Sequence, residues 1–125
     1  MFLLLGDQLF PQKYLHKYKK DFFYMSEDIG LCTQERFHKH KIILYLSAMR
    51  SYRDDLIKNN FNITYSEIDQ NLKLTYSEKL EKVIKKNKVK TITTFEISDH
   101  FLSTIISKLC VKLNIRLFLI SNPMF

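Results

Sequence analysis

Met1-Phe2-Leu3-Leu4-Leu5-Gly6-Asp7-Gln8-Leu9-Phe10-Pro11 begins with five apolar residues and then breaks abruptly into a polar Gly-Asp-Gln turn. A short apolar run of this kind fits a strand buried on both faces, although run length alone leaves a helical segment open. Gly6 argues for the strand, because a residue without a Cβ lets the backbone turn sharply and lets a neighbour come close. In open α/β sheets, ligands sit outside the carboxyl ends of the strands, so Gly6, Asp7 and Gln8 stand where a ligand would be. The competing reading is a plain strand-to-loop turn carrying a solvated Asp.

The same arrangement recurs downstream. Asp21–Met25 (DFFYM) is a second short apolar run, rich in aromatic residues, and it too ends in polar groups, Ser26-Glu27-Asp28. Between the two, Pro11 leads into Gln12–Lys20, which predicts one or two helical turns with Tyr14, Leu15 and Tyr18 inward and Lys13, Lys17, Lys19 and Lys20 outward. From His38 the pattern is helical, with Ile42, Leu46, Met49, Arg53 and Leu56 on one stripe, Ile43 and Ile57 flanking it, and Lys41, Tyr45, Ala48, Tyr52 and Asp55 on the other side. Asp54 and Lys58 have helix-supporting spacing, and Asn59-Asn60 ends the helix.

Asn62–Ile68 alternates apolar and polar residues, as a strand near a sheet edge does. Thr75 with Glu78 reads as a capping box opening a helix to Asn87 with a narrow Leu80, Val83, Ile84 stripe. Val89–Glu96 is a fourth strand. Ser98 is the expected cap of a third long helix, with Asp99 in its first turn and Phe101, Leu102, Ile105, Ile106, Leu109 and Leu113 on its apolar side. Asn114 ends it, and Ile115–Ser121 is a fifth strand. Strands alternating with helices predict an α/β fold: a doubly wound, five-stranded, mainly parallel sheet with helices on both faces, Rossmann-like, formed by residues 1–125 as one domain.

Composition limits the function classes. The 125 residues are 46% apolar, which fits one globular core. Gly and Pro number 2 each, too few for a turn-rich sandwich. Lys and Arg exceed Asp and Glu by 20 to 13, a net +7 that invites a polyanionic partner, although Lys is abundant along the whole chain. Neither Cys32 nor Cys110 belongs to a CxxC pair, and Met1–Leu5 lacks the features of a signal peptide. The expectation is a cytoplasmic protein with reduced, buried thiols and no membrane association.

No GxGxxG, GxxxxGK[ST] or GxSxG pattern is present, and Cys32, His38 and His40 lack zinc-finger spacing. No catalytic and no metal-binding residue is assigned. His38-Lys39-His40-Lys41, with Arg36 nearby, places positive charge at a helix N-terminus, where anions are preferred. That implies a contact to an anionic ligand or an acidic partner, against the alternative of a solvated basic turn. Ser47 and Ala48 are small enough to let the long helix pack closely on the sheet or another surface. At least one of Arg50 and Arg53, beside the apolar stripe, is expected to pair with a carboxylate.

LLLGDQLFP at the N-terminus, SED closing the second strand, HKHKI, and LSAMRSYRDDL together resemble the N-terminal domain of the photolyase-related family, the iron–sulfur bacterial cryptochromes and (6-4) photolyases. The resemblance is specific from about Phe2 to Ile68. Beyond that it follows the order of elements, with Glu96 before a helix start also fitting. It implies an N-terminal domain holding a lumazine-type antenna chromophore, which harvests light for flavin-dependent DNA photorepair. FAD and the iron–sulfur cluster are expected in a C-terminal helical domain that this chain lacks, and that domain is the implied partner. DNA would be met through the full-length protein only, and the chain by itself is expected to be inactive in repair. By motif position, the antenna site would comprise Leu5, Gly6, Asp7, Gln8, Glu27 and Asp28, with His38 and Lys41 at its edge. One departure is Leu31, where the resemblance implies an acidic residue. Because the chain stops directly after a strand, it reads as a fragment or truncated form, in which an uncovered apolar face would favour a homodimer. The alternative is a stand-alone Rossmann-like ligand-binding or interaction domain without photochemistry.

Overall fold

The computed structural model describes residues 1–6, 8–27, 39–67 and 75–121, and of residues 39–42 the backbone alone. Its strands are β1 (Phe2–Leu3), β2 (Phe22–Ser26), β3 (Asn62–Ser66), β4 (Thr91–Phe95) and β5 (Arg116–Ile120). They form one sheet in the order β3-β2-β1-β4-β5, and every pairing is parallel. Parallel neighbours need crossovers. These are two successive 3₁₀ turns (Gln12–Tyr14 and His16–Tyr18) between β1 and β2, then α1 (Lys39–Lys58), α2 (Tyr76–Lys86) and α3 (His100–Lys112). The chain winds outward from β1 to β3, then crosses back to β4 and β5. That reversal puts α1 on one face and α2 and α3 on the other, giving the doubly wound, Rossmann-like arrangement that the alternating pattern predicts.

β1 is central, and the run Met1–Leu5 supplies both cores. Leu4 N–H donates to the Tyr24 carbonyl at 2.9 Å and Thr93 N–H to the Met1 carbonyl at 2.9 Å, so the run stays extended beyond the two ladder residues. Phe2, Leu3, Leu4 and Leu5 are all buried. Each such side chain contributes about 1.5–3 kcal/mol relative to exposure. Leu3 and Leu5 enter a largely aliphatic layer with Leu80 and Ile84 of α2 and Leu102, Ile106 and Leu109 of α3. Phe2 and Leu4 enter an aromatic layer with Phe23, Met25, Phe95 and, from α1, Met49 and Leu56. In that layer the Phe2 ring lies 5.2 Å from Phe23 and 5.5 Å from Phe95.

Helix boundaries follow local chemistry. Thr75 and Glu78 form the expected capping box: Thr75 Oγ1 accepts from Glu78 N–H at 3.2 Å and Glu78 Oε1 from Thr75 N–H at 3.3 Å. Asn60, Lys88 and Asn114 follow the three helices with φ of 67°, 52° and 56°. The two Asn stops are legible in the sequence, whereas Lys88 holds the same left-handed conformation without the side-chain help that Asn provides.

The structure corrects several expectations. α3 is capped by Asp99, which accepts from Leu102 N–H at 3.2 Å, and not by Ser98, so the helix starts one residue later. Phe101 is consequently exposed, and Cys110 takes a place in the buried stripe. On α1 the expected Leu46, Met49 and Leu56 do pack on the aromatic layer, but Tyr45 and Tyr52 join them, and Ile43 and Ile57 lie in solvent. Tyr52 suits this place because its hydroxyl reaches a polar atom at the layer's rim, donating to the Phe10 carbonyl at 2.5 Å. Ser47 and Ala48 are exposed and do not pack on the sheet. Asp54 takes Arg53 as its ion-pair partner in place of Lys58.

Candidate functional site

The carboxyl ends of β1 and β2 lie side by side, and their polar residues meet different fates. At the end of β2, Glu27 is completely buried. Its N–H donates to the Ser66 carbonyl at 2.9 Å, extending the β2–β3 ladder by one bond. Its carboxylate accepts from Arg50 Nε at 2.7 Å, from Arg50 Nη2 at 3.0 Å and from the Tyr65 hydroxyl. Its carbonyl accepts from the buried Lys79 ammonium at 2.8 Å. A buried carboxylate is tolerated only when it is paired and hydrogen-bonded, and here α1, β3 and α2 each send one donor side chain to the same residue.

The electrostatics agree with that geometry. The hydrogen bond to Glu27 holds Arg50 firmly cationic, and burial followed by the Glu27 carboxylate pushes the Tyr65 phenol well above its ordinary range. Arg53, one turn beyond Arg50, lies over the Tyr65 ring at 4.6 Å and donates to Glu67 at 3.1 Å. The i,i+3 spacing on α1 is what brings both guanidinium groups over the ends of β2 and β3.

At the end of β1, Gln8 N–H donates to the Leu5 carbonyl at 2.9 Å, closing a tight turn around Gly6. A Cβ on Gly6 would stand 2.6 Å from Tyr45 Cζ and 2.9 Å from Met49 Sδ, and closer still to the Tyr45 hydroxyl. The glycine therefore admits α1, not only a turn. Leu5 points into the aliphatic core. The Gln8 side chain is 3% exposed and crosses to the neighbouring strand end, where Nε2 donates to the Glu96 carbonyl at 2.7 Å. Its Oε1 is buried and has no hydrogen-bond partner among the described residues. β1 and β4 are the neighbours between which the winding reverses, so this acceptor sits at the topological switch point, where open α/β sheets place ligands.

Of the residues singled out in the sequence, Leu5, Gly6, Gln8 and Glu27 share this edge. Asp7, Asp28, Leu31 and His38 lie outside the described residues, as does the side chain of Lys41. Among the described residues no group of three or more His, Cys, Asp or Glu could hold a metal ion, and no helix is long and apolar enough to cross a membrane. Sequence reasoning missed Tyr65, Lys79 and Tyr45. Tyr65 looks like an ordinary strand aromatic, Lys79 like one more surface lysine, and only the Arg50/Arg53 pair signalled a carboxylate partner. The family model for deoxyribodipyrimidine photo-lyase-related proteins matches residues 2–125. The chain belongs to that family. No curated protein matches it. The photo-lyase-related match takes in both strand ends, the helix that carries Arg50 and the β4–α3 loop that receives Gln8, so the candidate site lies wholly within the family's shared region.

Proposed function

We propose that this chain is the antenna-chromophore domain of a photo-lyase-related protein, holding a lumazine-type ring at the carboxyl edge of the sheet. The observation that carries the reading is Gln8 Oε1 at the switch point, buried and without a hydrogen-bond partner among the described residues. A buried amide oxygen without a donor costs about 1–3 kcal/mol, and a heteroaromatic ring N–H would relieve that cost. Gln8 Nε2, tied to Glu96, fixes the direction of the acceptor. Gly6, Asp7 and Asp28 would complete the rim, with His38 and Lys41 at its outer edge. Glu27, engaged by Arg50, Tyr65 and Lys79, would act by holding the end of β2 in place. When bound, the chromophore would absorb in the near-UV to blue and pass its excitation energy to a flavin in a C-terminal helical domain, through which DNA would also be met.

Titration with a ribityl-lumazine tests this directly. Quenching of ligand fluorescence with saturation at one equivalent is expected, and Gln8→Met is expected to weaken it at least tenfold while the fold is kept. A chain that rejects added lumazine would sink the reading. It would favour a stand-alone Rossmann-like interaction domain, for which the occupation of Gly6's open side by Tyr45 and of Glu27's carboxylate by Arg50 is the supporting observation.

A further inference from the structure

The two 3₁₀ turns between β1 and β2 carry a charge arrangement that the antenna reading leaves unused. Residues 12–20 (QKYLHKYKK) hold four lysines and one histidine with no carboxylate. Leu15 is fully buried and pins the segment to the aromatic layer, leaving Lys13, His16, Lys17 and Lys20 exposed along its outer side. At the C-terminal end of α1, Asn59 Nδ2 donates to Gln12 Oε1 at 2.6 Å, which brings exposed Lys58 beside the same strip.

The lysines are not neutralised by the protein itself. Among the described residues none of Lys13, Lys17, Lys19 and Lys20 forms an ion pair, although Asp21 directly follows them and Asp55 lies one turn before Asn59. By contrast, Lys85 and Lys112 on the opposite face share Glu81 at 3.4 and 3.2 Å. Three of the strip ammoniums instead lie over aromatic rings: Lys13 over Tyr14 at 5.1 Å, Lys17 over Tyr18 at 5.8 Å and Lys19 over Phe61 at 5.2 Å. A ring face orders a lysine stem without cancelling its charge. The result is a strip of pre-positioned cations on and just after two successive 3₁₀ turns.

We infer that this strip is a sequence-independent contact surface for the phosphate backbone of nucleic acid, separate from the antenna site and additional to the C-terminal domain, so that this chain meets nucleic acid by itself as well. A membrane surface fits less well, because an interfacial segment offers large apolar side chains to lipid, and here Leu15 is buried and Tyr14 and Tyr18 are half-covered by the fold and their lysines. The ring-held ammoniums present charge rather than an apolar anchor.

The test is fluorescence anisotropy of a labelled random-sequence 20-base-pair duplex with the full chain between 50 and 200 mM salt. The comparison is between the triple variant Lys13→Gln, Lys17→Gln, Lys20→Gln and a control with the same loss of charge on the opposite face, Lys82→Gln, Lys86→Gln, Lys108→Gln. The strip variant is expected to bind weaker by tenfold or more, with a log–log salt slope shallower by roughly 2.7, since each lost phosphate contact removes about 0.9. The control is expected to stay within threefold of the parent. Equal weakening by both variants, or no binding by the parent at 50 mM salt, would overturn the inference. So would equal or tighter binding to phosphatidylserine vesicles with the same sensitivity to the strip lysines. Far-UV circular dichroism and melting temperature matching the parent keep a folding defect from mimicking the effect, and the single variant Lys20→Gln, whose ammonium lies over no ring among the described residues, is expected to make the salt slope shallower by roughly 0.9, an unchanged slope counting against the inference.

Discussion

The ends of β1 and β2 are neighbours on one sheet edge, yet they are built oppositely. Glu27 is an ionised group with its donors supplied by three different elements: Arg50 from α1, Tyr65 from β3 and Lys79 from α2. Gln8 is a neutral group anchored to the Glu96 carbonyl, and its buried oxygen has no partner among the described residues. The difference is one of satisfaction. A carboxylate in a dry site must be neutralised before the fold is stable, so its partners belong to the chain itself. An amide oxygen costs far less to leave unbonded, so it can wait for a partner from outside.

The strongest way to break the comparison is to strip Glu27 of its cation. Arg50→Met leaves a fully buried carboxylate beside a neutral side chain and is expected to cost about 3 kcal/mol in urea-denaturation free energy, toward the lower end for buried pairs because Arg50 is itself two-fifths exposed. The double variant Glu27→Leu, Arg50→Met should recover much of that loss, since it removes the buried charge together with its partner. No recovery would mean that Glu27 contributes more than charge pairing.

Next in size is the close approach at the β1 end. Gly6→Ala is expected to cost about 1–3 kcal/mol through overpacking against Tyr45 and Met49. Combining it with Tyr45→Leu should give a total well below the sum of the two single effects, and strict additivity would show that Gly6 is needed for its backbone alone. A smaller effect is expected at the cap that holds the loop receiving Gln8. Asp99→Ala should cost about 1 kcal/mol, while Ser98→Ala should be close to neutral in the same melting experiment.

The smallest stability effect is expected where the comparison is sharpest. Gln8→Met loses the bond to Glu96 but also removes the unsatisfied oxygen, so the net change should stay below about 1 kcal/mol even as lumazine binding falls. A large destabilisation would return Gln8 to a structural role like that of Glu27. Tyr52 offers a check by pH. Burial pushes its phenol up to about 12, above the ordinary value of 10.0, so its stabilisation is complete below about pH 10 and is lost as pH rises toward 12. Tyr52→Phe should flatten that part of the alkaline melting curve, and an unchanged curve would place the alkaline loss elsewhere.

Much of this architecture is legible from local pattern. The apolar runs, the Thr75–Glu78 box and the Asn60 and Asn114 stops depend on residues close in sequence, and their physics operates within a few residues. The alternation of strands and helices then leaves few topologies, because parallel neighbours require right-handed crossovers. The candidate edge was legible too, since Gly6-Asp7-Gln8 and Ser26-Glu27-Asp28 each end a buried run with polar groups. The photo-lyase-related family was readable from motif order, and its model matches nearly the whole chain.

What only the tertiary structure decided is which of those polar groups the protein uses for itself. Arg50 is 23 residues from Glu27, Lys79 is 52 residues away, and Gln8 is 88 residues from its anchor at Glu96. No local spacing encodes such pairings. They arise when the winding reverses at β1 and sets α1, α2 and the β4–α3 loop around one sheet edge. The same closure set Tyr45 and Tyr52, and not Ile43 and Ile57, on the sheet-facing side of α1, where Tyr45 lies against Gly6 and Tyr52 reaches the rim at Phe10. The sequence by itself determined that two polar loops would stand on one edge. The packing around them determined that Glu27 is sealed by Arg50, Tyr65 and Lys79 and that the Gln8 oxygen is buried without a partner among the described residues.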